Sequence, residues 1–182
     1  MTQKTILVVD DDPANRQILA RRLRRQGLTV SLAANGKAAL ARARAGQCDL
    51  ILLDMLMPGM DGDEVLARLK AEPTLTDVPV IMISALDQDD RIARCVEMGA
   101  EDYIAKPFNP VFLRARIKAC LEQKRLRERE TSFLRQIQEE KRRTDELLHV
   151  ILPRDVAAEL RTTSRVLPRR FDPVAVLFSD VV

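Results

Sequence analysis

Short apolar runs alternate with amphipathic segments over about the first 110 residues. The runs at 6–9, 28–33, 50–53 and 78–83 suit strands, and residues 103–104 predict a short fifth one. Between them, apolar side chains recur at helical spacing, as in the segments 36–45 and 89–98. Strands covered on both faces appear as continuous apolar runs. Five strand–helix units in succession therefore predict a parallel sheet with helices on both faces.

A long helix is predicted from about Pro110 onward. Neither Gly nor Pro occurs from Val111 through Leu152, and the stretch is rich in good helix formers. Forty helical residues would extend about 60 Å, too far to pack against one small domain. An apolar stripe with polar interruptions favours a parallel dimeric coiled coil, and a lone charged helix is the alternative. The stripe comprises Leu126, Glu130, Phe133, Ile137, Glu140, Thr144, Leu147 and Ile151, flanked by Leu134 and Leu148.

Composition narrows the possible functions. The net charge is +3 over 182 residues, and aromatic residues make up 3%, which argues against a dedicated nucleic-acid binder. No apolar run approaches the length of about 20 residues that spans a bilayer. Three widely spaced cysteines, Cys48, Cys95 and Cys120, exclude a disulfide framework and suit a reducing cytoplasm. A single histidine, His149, excludes a multi-histidine zinc site.

Charged and hydroxyl side chains stand at the ends of four predicted strands. In parallel sheets, sites form beyond the carboxyl ends of the strands. Three carboxylates at one point repel each other unless a cation joins them, and an all-oxygen set favours Mg²⁺. A carboxylate beside Mg²⁺ can attack a phosphoryl group to form an acyl phosphate. The residues at these ends are Asp10, Asp11, Asp54, Ser84 and Lys106.

Aspartates at strand ends are often only helix caps or turn residues. We assign that role to Asp12, which precedes Pro13, and to Asp61, which precedes Gly62. A capping role does not explain why Asp10, Asp11 and Asp54 would all lie at the same edge of the sheet, because caps need not converge on one point.

Four segments in order resemble the receiver domain of two-component response regulators. They are Val8-Val9-Asp10-Asp11, the stretch from Leu53 to Gly62, Ile83-Ser84-Ala85 and Lys106-Pro107-Phe108. The resemblance covers about residues 4–122. It implies a flavodoxin-like (βα)₅ fold, a cis peptide bond before Pro107 and phosphotransfer from a histidine kinase.

The resemblance also implies a role for each matching residue. Asp54 would be the phosphoacceptor, and Asp10, Asp11 and Asp54 would bind Mg²⁺ with the Leu56 carbonyl. Ser84 and Lys106 would contact the phosphoryl group. Tyr103 matches the aromatic switch position, and an ordinary half-buried aromatic is the alternative. Phosphorylation would then reshape the face formed by helix 4, strand 5 and helix 5, which we expect to pair in a homodimer.

The last segment resembles the entry to class III nucleotide cyclase domains. The resemblance rests on residues 147–153, on Phe171 and on Val176-Leu177-Phe178-Ser179-Asp180-Val181-Val182. It implies that Asp180 would be the first of two metal-binding aspartates. The second metal-binding aspartate of that family is absent from this sequence. We therefore expect that the chain is cut just inside its output domain and cannot cyclise a nucleotide.

We therefore expect a receiver domain over 1–122, an extended helix and coiled coil over 111–150, and a cyclase entry over 151–182. The expected protein is a cytoplasmic response regulator whose coiled coil relays phosphorylation of Asp54 to an adenylate or guanylate cyclase. We expect neither nucleic acid nor membrane as a partner. A dimeric protein-docking module and a regulator of a serine/threonine phosphatase output are the alternatives.

Overall fold

The structure is a computed structural model that describes residues 4–46, 48–85, 89–107, 109–151 and 156. Most of the predicted cyclase entry over 151–182, including Phe171 and Asp180, lies outside these residues. The side chains of Leu147, Leu148 and Ile151 are also outside the description.

Strands and helices alternate five times along the chain, as the pattern predicts. Most bounds lie within one or two residues of the predicted ones; β5 is longer, because it continues to Lys106. The elements are β1 (Thr5–Val9), α1 (Pro13–Arg24), β2 (Thr29–Ala33), α2 (Gly36–Arg44), β3 (Leu50–Asp54), α3 (Gly62–Ala71), β4 (Val80–Ala85), α4 (Asp89–Glu97), β5 (Asp102–Lys106) and α5 (Pro110–Ile151).

The five strands form one parallel sheet in the order β2-β1-β3-β4-β5. This is the flavodoxin-like doubly wound fold, and the order reverses between β1 and β3. Such a reversal opens a crevice at the carboxyl ends of the strands, where ligands bind in folds of this kind. The fold prediction is confirmed, and so is the cis peptide bond between Lys106 and Pro107.

Alternate side chains of the strands build two apolar layers, one on each face of the sheet. Ile6 and Val8 pack with α1 and α5, whereas Leu7 and Val9 pack with α2, α3 and α4. All five residues of β3 are buried. A strand covered on both faces accounts for the uninterrupted apolar run in the sequence, and it holds the end of β3 rigidly.

Helix α5 runs for 42 residues, which confirms the long helix. The chain divides into two compact units, 1–129 and 130–182. The first unit includes residues 121–129 of α5, which follow Cys120, the last of its described residues to be buried. Long side chains of this stretch still contact the rest of the unit. Lys124 donates to the Asp49 carbonyl at 3.3 Å, and Arg127 forms an ion pair with Glu101. None of the described helices is long and apolar enough to cross a membrane.

Replacing Asp49 by Asn is expected to lower the free energy of unfolding by about 1 kcal/mol at pH 7. The carboxylate accepts hydrogen bonds from Lys4 Nζ and from the Thr5 amide, both at 2.8 Å. Burial alone would raise the pKa of Asp49, but these bonds outweigh burial and lower it. The carboxylate therefore stabilises the fold above the unfolded-state pKa, and that contribution disappears as the pH falls through the lower folded-state pKa.

Urea unfolding measured from pH 7 down to about pH 3 tests this prediction. The difference between the wild type and D49N should shrink toward the acid end. Asp77→Asn, at an exposed aspartate between α3 and β4, is the matched control. A stability difference for D49N that stays constant with pH would refute the assignment.

Candidate functional site

The carboxyl ends of β1, β3, β4 and β5 bring four predicted site residues together. Asp10 directly follows β1, Asp54 is the last residue of β3, and Ser84 lies one residue before the end of β4. Lys106 ends β5 and reaches across the sheet edge. Asp10, Asp54 and Ser84 are buried. Polar side chains inside an apolar sheet are stable only when they have partners, so the contacts among them define the site.

Three carboxylates form the acidic part of the site. One oxygen from each of Asp10, Asp11 and Asp54 lies within 4.8 Å of the other two. Lys106 Nζ lies 2.8 Å from Asp54 Oδ1 and 3.1 Å from Asp10 Oδ2. The ammonium group thus bridges the two buried carboxylates and compensates part of their charge, while Asp11 is exposed to solvent.

Burial dominates the electrostatics of the phosphoacceptor candidate. It raises the pKa of Asp54 above its usual value; contacts with Lys106 oppose that rise, and the neighbouring Asp10 carboxylate adds to it. For Lys106, burial would lower the pKa, but the hydrogen bonds and charges of Asp54 and Asp10 outweigh it and raise the pKa. The pair is therefore an ammonium held against carboxylates from which water is largely excluded.

Ser84 Oγ is buried and lacks a hydrogen-bond partner within the described part of the chain. Leaving a buried hydroxyl unsatisfied costs about 1–3 kcal/mol, so such an atom calls for an explanation. Here it lies on the strand next to the one that ends in Asp54. An acceptor oxygen brought to Asp54 would satisfy it.

The donor set fits a hard divalent cation. Carboxylate oxygens are the ligands that Mg²⁺ prefers, and those of Asp10, Asp11 and Asp54 lie close enough together to share one ion. The side chain of Leu56 is 47% exposed, as expected for a loop residue beside this edge. Tyr103, on β5 next to Met82 of β4, is 46% exposed, so its ring lies at the surface.

The loop after β1 is fixed by Arg16, a residue that the sequence analysis did not single out. Its Nη1 donates to the carbonyls of Asp10 at 2.6 Å and Asp11 at 2.8 Å. The Asp12 amide donates to Asp10 Oδ1 at 2.9 Å, and the Asp12 side chain caps α1 through the Ala14 amide at 2.7 Å. The cap assignment for Asp12 is thus confirmed. Arg16 gave no signal because the solvent-facing side of α1 carries several other arginines.

The side chain of Asp61 does not cap α3, contrary to the role that we assign to it from the sequence. It occupies the N-cap position, but its side chain makes no cap hydrogen bond. Instead it accepts from the Met57 amide at 3.4 Å and from Arg91 of α4 at 3.0 Å. Arg91 also bonds Asp63 at 2.7 Å. This pairing ties α4 to the loop after β3, and no local pattern announces it because the partners are about 30 residues apart in sequence.

A family comparison identifies the domain that carries this site. The profile of the response regulator receiver domain matches residues 6–118. Among curated proteins, the chain is 45% identical over 132 residues to the response regulator PleD of Caulobacter vibrioides, covering 70% of this chain and 29% of PleD. It is 42% identical over 121 residues to the phosphate regulon transcriptional regulatory protein PhoB of Pseudomonas aeruginosa, covering 66% and 53% respectively. The matches thus span about a third to a half of these relatives.

Solved structures give the same result. A response regulator from Chloroflexus aurantiacus aligns with a TM-score of 0.64 and 35% identity, covering 66% of this chain and 99% of that one. A CheY-like receiver domain protein from Methanospirillum hungatei aligns with a TM-score of 0.65 and 29% identity, covering 69% and 99%. These alignments therefore extend over whole receiver domains and cover about two thirds of this chain.

Proposed function

This chain belongs to the response regulator receiver family of two-component systems, and on that premise we propose that Asp54 is its phosphoacceptor. Receiver domains accept phosphate from histidine kinases, so a phosphohistidine is the donor that the family supplies. The observation that carries the proposal is the buried Asp54 carboxylate, held 2.8 Å from the Lys106 ammonium beside Asp10 and Asp11.

In the proposed reaction an Asp54 oxygen attacks phosphorus. The new O–P bond makes an acyl phosphate while the N–P bond of phosphohistidine breaks, and its electron pair stays on the imidazole nitrogen, which takes up a proton. Both hydrogen bonds to the carboxylate, from Met55 N at 3.0 Å and Lys106 Nζ at 2.8 Å, end on Oδ1. Oδ2 is therefore the oxygen that we assign to the attack.

The surrounding residues orient the transferred group. Lys106 places its charge where phosphoryl oxygens arrive, and Ser84 Oγ supplies a hydrogen bond to one of them. Asp10, Asp11, Asp54 and the Leu56 carbonyl would hold Mg²⁺. When bound, Mg²⁺ offsets the negative charge of the carboxylates and of the incoming phosphoryl group. Mass spectrometry of the protein with Mg²⁺ and a small phosphodonor tests this chemistry, as a gain of about 80 Da.

We propose that Ser84 and Tyr103 form the switch. Phosphorylation adds nearly two negative charges and three acceptor oxygens. Moving toward them would satisfy the Ser84 hydroxyl, which has no hydrogen-bond partner among the residues that the structure describes. The space it leaves would admit the Tyr103 ring, now 46% exposed. The hydrogen bond gained by Ser84 would then favour the state in which the Tyr103 ring lies inward. Movement of the ring would reshape the face formed by α4, β5 and α5, where we place part of the dimer contact.

The outer part of helix α5 supports the proposal of a dimeric coiled coil. Leu126, Phe133 and Ile137 recur at helical spacing along α5 and are 56%, 64% and 60% exposed. Large apolar side chains repeating along one side of a charged helix are stabilised when a second helix covers them. A second copy of this chain presents the same stripe, so a parallel pair covers both.

Replacing Ile137 by Glu is expected to raise the dimer dissociation constant at least about tenfold, because it places a charge inside the apolar stripe. Sedimentation equilibrium of the 182-residue chain measures it. Gln138→Glu adds the same charge on the neighbouring, exposed side of the helix and should leave the constant almost unchanged. A wild type that is monomeric at every concentration, or equal effects of both variants, would contradict the coiled coil.

We propose a class III nucleotide cyclase as the output that the relay controls. Support comes from residues 147–153, Phe171 and 176–182, which resemble the entry to such a cyclase domain. By that resemblance, Asp180 would be a metal ligand in the complete catalytic domain. The test incubates the full-length protein with ATP or GTP and Mg²⁺ or Mn²⁺, with and without phosphodonor. Cyclic nucleotide whose rate changes on phosphorylation supports the proposal. No product from a folded dimer would favour a docking module or a phosphatase output instead.

A further inference from the structure

A second cavity lies at the edge of the sheet opposite the phosphorylation site. It has a volume of about 580 Å³ and is bordered by the residue before β1, the segment between α1 and β2, and one side of α5. Leu28, Ile117 and Leu121 provide its apolar base. Ile117 is buried, while Leu28 and Leu121 are partly buried against the core. Ligand cavities in proteins commonly measure about 300–1,000 Å³, so this one suits a small organic molecule.

The rim of this cavity is strongly basic. Five cations and a single acid line it. Two of the cations are already paired, Lys4 with Asp49 at 2.8 Å and Arg125 with Glu122 at 2.7 Å. The remaining cations have no side-chain hydrogen bond or ion pair among the described residues. They are Arg25, Arg114 and Lys118.

An anion would relieve the weak mutual repulsion of these exposed cations. Arg114 and Lys118 stand four residues apart on α5, where like charges destabilise a helix by a few tenths of a kcal/mol. Glu122, one turn further on, is engaged by Arg125. Arg25, the residue directly after α1, lines the same cavity. An anion between α1 and α5 would satisfy all three cations at once, and the arginines offer forked donors that match phosphate oxygens.

We propose that this cavity binds a nucleotide-class ligand, meaning a planar apolar body that carries two or more phosphate groups. The phosphates would lie among Arg25, Arg114 and Lys118. The planar body would cover Leu28 and Leu121, with the guanidinium groups able to stack on it. Because α5 continues without a break to Ile151, such a ligand would tie the first turns of this helix to α1. It would act on the long helix independently of Asp54.

The experiment titrates a fluorescent N-methylanthraniloyl derivative of ATP into the 182-residue protein and follows fluorescence anisotropy. EDTA is present throughout, so that a metal at the acidic site cannot hold the phosphates. We expect saturable binding with a dissociation constant below about 1 mM. Unlabelled ATP and GTP should compete more strongly than tripolyphosphate, which has the charge alone, or adenosine, which has the planar body alone.

The double variant R114Q/K118Q should weaken binding at least tenfold. Its matched control is R135Q/K141Q, which removes two cations further along α5 and leaves the cavity intact. If R114Q/K118Q fails to fold by circular dichroism, Arg25→Gln at the end of α1 gives the same test, with the substitution outside α5. An absence of binding, an equal loss in both double variants, tripolyphosphate that competes as well as ATP, or a preference for anionic lipid vesicles over ATP would each overturn the proposal.

Discussion

The Asp54→Asn variant should gain no phosphoryl group when it is incubated with Mg²⁺ and a small phosphodonor such as acetyl phosphate. An amide oxygen is too weak a nucleophile to form the new O–P bond, and Asn cannot make an acyl phosphate. The wild type should gain about 80 Da under the same conditions. Loss of the whole signal, rather than a slower rate, is the expected result, because the amide that replaces the carboxylate removes the attacking group itself.

Asp12→Asn is the matched control for this prediction. Asp12 lies two residues from Asp10 but caps α1, and Asn caps helices as well as Asp does. This variant should therefore become phosphorylated and keep its stability. Intact-mass spectra of the two variants and the wild type, recorded over time, decide the matter. A mass gain in D54N, or its loss in D12N alone, would show that the phosphoacceptor is assigned to the wrong aspartate.

The part of this site that follows from strand ends could be predicted from sequence. Asp10, Asp54, Ser84 and Lys106 each stand where an apolar run stops, and parallel strands bring such ends to one edge. Their meeting, with Lys106 bridging two carboxylates, follows from topology once five strand–helix units are recognised. For these four residues, the local hydrophobic pattern and the rule on where sites form in parallel sheets are together sufficient to predict the site.

Contacts between side chains distant in sequence could not be predicted in the same way. Arg91 pairs with Asp61 and Asp63 across two elements, and the basic cavity joins Arg25 to Arg114 across almost the whole receiver. In sequence each of these arginines is an ordinary solvent-facing residue of an amphipathic helix. Which acid or cavity it faces depends on how α1, α4 and α5 pack on the sheet, and hydrophobic periodicity does not specify that.

Gly62 also acquires its importance only in three dimensions. It begins α3, and its amide donates to the Met55 carbonyl at 2.8 Å. A Cβ at this position would overlap the backbone carbonyl oxygen of Asp54 and lie 3.0 Å from its carbonyl carbon. Backbone atoms at the end of a fully buried strand cannot move aside as the tip of a flexible side chain can. The first turn of α3 therefore approaches the phosphoacceptor strand as closely as a glycine allows.

Gly62→Ala should consequently lower the free energy of unfolding by about 3 kcal/mol, because relieving the overlap displaces either α3 or the end of β3. Urea unfolding followed by circular dichroism measures it. Gly27→Ala is the control: its φ of +79° is strained for alanine, but a Cβ there meets nothing within 4 Å. That variant should lose only about 1 kcal/mol. If Gly62→Ala costs no more than Gly27→Ala, the backbone near Asp54 yields easily, and a rigid approach of α3 cannot be what positions the phosphoacceptor.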